Sequence, residues 1–197
     1  MTALLVIIYI SFISLGLPDS LLGSAWPIIQ TDLSSAFSMA GYISMTVCAG
    51  TVVSSLFSNR LVAKFGAGKV TLVSVAMTAL ALFGYSFAPN IFLLFVMAIP
   101  LGLGAGSVDA ALNNFVALHY QSKHMSWLHC FWGIGATVGP AIMSMFLLSQ
   151  GGWRKGYITI AIIQTGLVLL LLVTLPLWKK SNKKATAIDK QKETVIS

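Results

Sequence analysis

Between residues 4 and 178 the chain consists almost entirely of apolar runs about 20 residues long, and this constrains its fold more than any motif does. A run of that length is what an α-helix needs to cross a hydrocarbon layer roughly 30 Å thick. In lipid every backbone N–H and C=O must be paired internally, which leaves only helices and closed barrels. The runs are too long and too uniformly apolar for barrel strands, so they are read as helices. Charged residues make up 9% of the chain, against about 25% in a soluble domain. An integral membrane protein follows.

Six spans are predicted: Leu4–Ile29, Ser38–Ser58, Val70–Ala88, Ile91–Leu118, Trp127–Ser149 and Gly156–Trp178. They make residues 1–178 one membrane domain with short connections, the tightest at Pro89-Asn90. Residues 179–197 are polar and basic and are expected to form a disordered cytoplasmic tail. Residues 1–17 lack the basic start of a secretory signal, and the apolar stretch continues past Asp19, so the N-terminus is expected to remain as the first span.

The net charge of +7 sets topology rather than nucleic-acid binding, because the basic residues sit at span ends and in the tail, not interleaved with aromatics. Arg60, Lys64, Lys69, Lys123 and the tail lysines mark one side; Arg154 and Lys155 mark the other. The excess places both termini in the cytoplasm and the chain in the cell membrane as a multi-pass protein. Cys48 and Cys130 lie within spans and read as small buried thiols, with no disulfide or metal spacing. No phosphate loop, metal cluster or nucleophile–base constellation appears, so neither an enzyme nor a cofactor site is expected.

Against this background Asp19 and Asp109 stand out. A charge at the bilayer centre costs about 2.5–3.5 kcal/mol on insertion scales, so carboxylates there mark pathways or proton relays. Both close a G-x-x-D sequence, Gly16-Leu17-Pro18-Asp19 and Gly106-Ser107-Val108-Asp109, and the following two spans begin at similar distances from each. Three spans per unit is odd, so the second unit must be inverted: an inverted 3+3 repeat, as in transporter folds. Pro18 predicts a kink beside Asp19. A purely structural Asp19, bonded through Ser20 or Ser24, is the competing reading.

Asp109 and Asn113 are four apart on one helical face, where a carboxylate above a carboxamide suits a sugar or other polar solute. His129 can titrate or bond a backbone carbonyl, and Trp132, three positions on, can stack on a sugar ring. Gly102, Gly104 and Gly106, and Gly135 with Gly139-Pro140, predict close helix packing. Arg60, Lys64, Gly66 and Lys69 are read as a loop between the second and third spans, turning tightly at Gly66-Ala67-Gly68.

Leu61-Val62-Ala63-Lys64-Phe65-Gly66-Ala67-Gly68-Lys69-Val70 resembles the signature between helices 2 and 3 of the major facilitator superfamily, although Ala63 stands where the family has an aspartate. Gly135-Ala136-Thr137-Val138-Gly139-Pro140 resembles that family's helix 5 Gly-Pro motif without its trailing glycine pair. The resemblance implies an all-α membrane protein: the N-terminal six-helix half of a major facilitator fold, with the loop around Lys64 and Lys69 taking part in gating.

Asp19, the run from Gly106 to Asn113, and Leu128-His129 with Gly133-Ile134-Gly135-Ala136 look most like the fucose–proton symporter group. That likeness implies proton-coupled sugar transport, with Asp109 as the coupling acid and Asp19 its partner. Family members have two such halves, so a second six-helix half or another copy of this chain is the expected partner, beside lipid and a small solute. Efflux of apolar compounds and a truncated, non-transporting membrane protein are the rival readings.

Overall fold

The computed structural model describes the backbone of residues 2–149 and 151–196, with side chains over 3–149 and 151–178. Helices account for nearly all of it: α1 (Thr2–Gly16), α2 (Leu21–Asp32), α3 (Met39–Phe65), α4 (Ala67–Ser86), α5 (Ile91–His119), α6 (Ser122–Leu148) and α7 (Gly152–Ile196). They provide six segments long and apolar enough to cross a membrane, α1 and α2 together forming the first. The all-helical, six-span class expected from the sequence is the one observed.

The span ends differ from the sequence reading. α3 runs on through Arg60 and Lys64 to Phe65, α6 starts at Ser122 and α7 at Gly152. Leu, Arg, Ala and Lys are good helix formers whether or not lipid surrounds them, so the helices outlast the apolar runs. The backbone of α7 likewise stays helical to Ile196, where disorder is expected from composition; Lys179–Ile196 contains neither Gly nor Pro.

The first span is interrupted, not merely kinked. Pro18 has no N–H to continue the ladder, and residues 17–20 form turns in which Asp19 N–H donates to Gly16 O at 3.2 Å. α2 then restarts at Leu21.

Packing follows the inverted repeat. α1 packs on α6, the fifth span, and α3 packs on α5, the second on the fourth; α4 and α7, the third members of the two triplets, pack on each other. Glycines set both matched interfaces. A Cβ at Gly135 or Gly139 would collide with the carbonyls of Ile13 and Leu17, and one at Gly102 or Gly106 with those of Val47 and Thr51. Hydroxyls reinforce the second interface: Thr51 Oγ1 donates to Gly102 O at 3.2 Å and Ser55 Oγ to Gly106 O at 3.3 Å. α3 and α6 are the least buried spans.

Two apolar clusters hold the bundle. One, around Trp26, Leu94, Tyr85, Trp153 and Tyr157, lies where α4 ends and α7 begins. The other, around Ile8, Phe12, Phe115, Leu128 and Trp178, lies at the opposite end.

Candidate functional site

Asp19 sits in the break between α1 and α2, where its side chain is not confined to a regular helical face. The glycine contacts of Gly135 and Gly139 bring α6 against this break, and Gly16 lies under the Trp132 carbonyl with no room for a Cβ. Close approach places the Trp132 indole so that Nε1–H donates to Asp19 Oδ2 at 2.7 Å. Ser24 Oγ donates to the carbonyls of Ser20 and Leu21, both at 3.0 Å.

Asp109 and Asn113 share a face of α5 as expected, with Asn113 Nδ2 donating to Asp109 Oδ1 at 3.0 Å. Asn113 Oδ1 is buried without a partner. The Asp109 carboxylate lies within electrostatic reach of both Asp19 and the His129 imidazole. His129 also sets its ring edge-on to Phe12, with centroids 6.3 Å apart. Asp19, Asp109, Asn113, His129 and Trp132 therefore form one neighbourhood built from the first, fourth and fifth spans. Asp19, His129 and Trp132 are exposed, while Asp109 and Asn113 are half-buried.

A cavity of about 310 Å³ opens beside this cluster, between the two apolar clusters, and Asp19 is its carboxylate. Asp109, Asn113, His129 and Trp132 are not among its lining residues. The cavity instead reaches back to the third and sixth spans. Gln164 is anchored there, Nε2 donating to Ser14 O at 2.7 Å and Oε1 accepting from Thr78 Oγ1 at 3.3 Å. Tyr85 and Tyr157 line the same end with ring centroids 5.2 Å apart, and neither phenol hydroxyl has a hydrogen-bond partner.

Sequence reasoning passed over these three residues. Gln164 carried a signal, as a lone carboxamide in the middle of the last span, whereas Tyr85 and Tyr157 lie near span ends, where an aromatic residue attracts no notice.

The basic group between the second and third spans is not a loop. Arg60 and Lys64 belong to α3, where Arg60 lies over the Phe57 ring at 5.9 Å and Lys64 over Phe65 at 5.3 Å. Only Gly66 separates α3 from α4, with φ 84°, a conformation that glycine adopts without a Cβ clash. Lys69 stands in the first turn of α4. The expected tight turn is present, tighter than the sequence suggests.

The opposite end holds an ion pair absent from the sequence reading. Asp32 pairs with Arg154 and accepts from Trp153 Nε1 at 3.0 Å, while Arg154 also donates to Ala88 O at 3.0 Å. Cys48 and Cys130 are free and exposed, not buried, because each lies on α3 or α6, the spans with the most open faces. No group of His, Cys, Asp and Glu suited to a metal occurs among the described residues.

Known proteins narrow the meaning of this arrangement. The chain is 25% identical to synaptic vesicle glycoprotein 2C of Mus musculus over 155 residues, covering 77% of this chain and 21% of the relative. It is 24% identical to synaptic vesicle glycoprotein 2A of Homo sapiens over 142 residues, 70% of this chain and 19% of the relative. It thus spans about a fifth of the length of the curated relatives it matches. The family model described as Major Facilitator Superfamily matches residues 8–197. With six helical spans and an inverted packing pattern already in place, the chain belongs to the major facilitator superfamily, a family of multi-pass membrane transporters rather than enzymes.

Proposed function

We propose that this six-helix unit forms one wall of a proton-coupled carrier for a small polar solute, a sugar by preference. The observation that carries the reading is the Asp19–Trp132 hydrogen bond at the mouth of the cavity, with Asp109 within electrostatic reach. A carboxylate held by an indole offers a solute both an acceptor and an aromatic face. Asp109, bonded to Asn113, exchanges the proton, and its occupancy biases which side opens. Tyr85, Tyr157 and Gln164 line the deep end, and the two phenol hydroxyls there have no hydrogen-bond partner.

A second six-helix unit, separate or another copy, supplies the opposite wall and rocks against this one. The α3–α4 junction at Gly66, with Lys64 and Lys69 in the flanking helices, moves with that rocking. The assembly lies in the cell membrane with both termini cytoplasmic, following the distribution of Lys and Arg.

Reconstitution with a second half in liposomes under an imposed pH gradient tests the reading. Proton-driven sugar uptake that collapses in Asp109→Asn is the expected result; uptake unchanged by that substitution sinks the coupling role. The aliphatic walls of the cavity, among them Leu15, Leu22, Val75, Leu82 and Leu101, favour a second reading, export of apolar or amphipathic compounds. Loss of accumulated hydrophobic dye from loaded liposomes, with no sugar uptake, would favour export.

A further inference from the structure

The break beside Asp19 leaves one carbonyl of α1 without its helical donor. In a continuous helix Ser14 O accepts from the N–H of residue 18, and Pro18 has none. The neighbouring amides do not replace it: Leu17 N–H donates to Ile13 O and Asp19 N–H to Gly16 O, both at 3.2 Å. A buried carbonyl without a donor is costly, and proline is tolerated in a membrane helix where a neighbouring helix supplies the missing bond. Gln164 supplies it from α7. Its Nε2–H donates to Ser14 O at 2.7 Å, and the residue is 1% exposed. Only the amino end of a carboxamide can face a carbonyl, so Oε1 turns to α4 and accepts from Thr78 Oγ1 at 3.3 Å. One side chain thus ties the third and sixth spans to the first, just before the break.

The second unit of the repeat provides a comparison within the same molecule. Its G-x-x-D carries Val108 where the first has Pro18, and α5 continues past it to His119. The residue as far before Asp109 as Ser14 is before Asp19 is Gly104. Gly104 packs directly on α4, where an added Cβ would lie 2.6 Å from Ser74 O. The continuous helix meets its neighbour through backbone, whereas the broken one meets α7 through a carboxamide. We propose that Gln164 is a positioning residue: by holding the carbonyl that Pro18 releases, it sets how the first span resumes and so places Asp19 against Trp132. Its importance for transport rests on the reading of Asp19 as the solute's carboxylate; the bond and the bend do not.

Nuclear magnetic resonance of the full 15N-labelled chain in detergent micelles tests this, because each of its five tryptophans contributes one indole N–H resonance. Trp132→Phe identifies the resonance of Trp132, and Asp19→Asn shows where it lies without the carboxylate. Gln164→Met keeps the length of the side chain and removes both polar ends. It is expected to move the Trp132 resonance toward its position in Asp19→Asn, while those of Trp127 and Trp178 stay in place. A Trp132 resonance that keeps its wild-type position in Gln164→Met overturns the proposal. A thermal double-mutant cycle decides the matter where Gln164→Met folds poorly. Pro18→Ala returns an N–H to Ser14 O, so Gln164→Met then lowers the unfolding midpoint by less than it does in the wild-type background. The Thr78 contact is lost in both backgrounds and cancels. Equal losses in the two backgrounds overturn the proposal. Neither measurement involves a solute or a second half, so sugar uptake unchanged by Asp109→Asn would refute the coupling reading alone.

Discussion

The indole of Trp132 donates a 2.7 Å hydrogen bond to the carboxylate of Asp19, joining the fifth span to the first at the point where the first span is broken. A hydrogen bond to a charged acceptor contributes about 1.5–3 kcal/mol. Trp132→Phe keeps the aromatic face and removes the donor. If the pair orients Asp19 toward solute, this variant loses roughly tenfold or more in uptake in the reconstituted assay while the protein still folds. Uptake that is undiminished in Trp132→Phe would show the bond to be structural.

The glycine contacts make a sharper, purely structural prediction. Gly135→Leu forces α6 off α1, because a Cβ there already collides with the Ile13 carbonyl; overpacking of this kind costs about 1–3 kcal/mol or more. Gly133, two residues away, has nothing within 4 Å of its Cβ position, so Gly133→Leu is close to neutral. Thermal unfolding in detergent should separate the two by several degrees. Equal midpoints would mean that the α1–α6 interface is looser than described.

At the other end, Asp32 joins α2 to the start of α7, and its two partners are not equivalent. The ion pair with Arg154 is surface-exposed, 40% and 42% for the two side chains, and such pairs are worth about 0–1 kcal/mol. Trp153 is 2% exposed, and losing its acceptor strands a buried N–H at a cost of about 1–3 kcal/mol. Asp32→Ala is therefore expected to destabilise more than Arg154→Gln, by about 1 kcal/mol or more, in equilibrium denaturation. The reverse order would show that the Arg154 bond to Ala88 O matters more.

These relationships show where the sequence is legible and where it is not. The spans can be read because lipid leaves the backbone no alternative to helix, and Pro18 marks the break because the missing N–H is a local property. Asp19 and Trp132 are each visible as candidates, but nothing local says that they meet; their pairing follows from Gly16, Gly135 and Gly139 letting two helices touch. The ends of α3 and α6 are misread because apolar content tracks the lipid layer, whereas helix propensity in Arg60, Lys64 or Lys123 does not depend on lipid. Tyr85, Tyr157 and Gln164 escape notice for another reason: their convergence depends on α4 packing on α7, a contact between the third members of two inverted triplets.

That convergence gives the last prediction. Tyr85 and Tyr157 are each 1% exposed and leave their hydroxyls unpaired. A buried hydroxyl without a partner contributes nothing to the fold and carries a desolvation cost. Tyr85→Phe and Tyr157→Phe should therefore leave the unfolding midpoint unchanged or raise it slightly. If the solute accepts hydrogen bonds from these phenols, the same variants weaken solute binding by roughly tenfold, the effect of about 1.4 kcal/mol. Stability and binding then move in opposite directions, which a packing role for the rings does not produce, since phenylalanine preserves the ring. A drop in both midpoint and binding would return the tyrosines to the core.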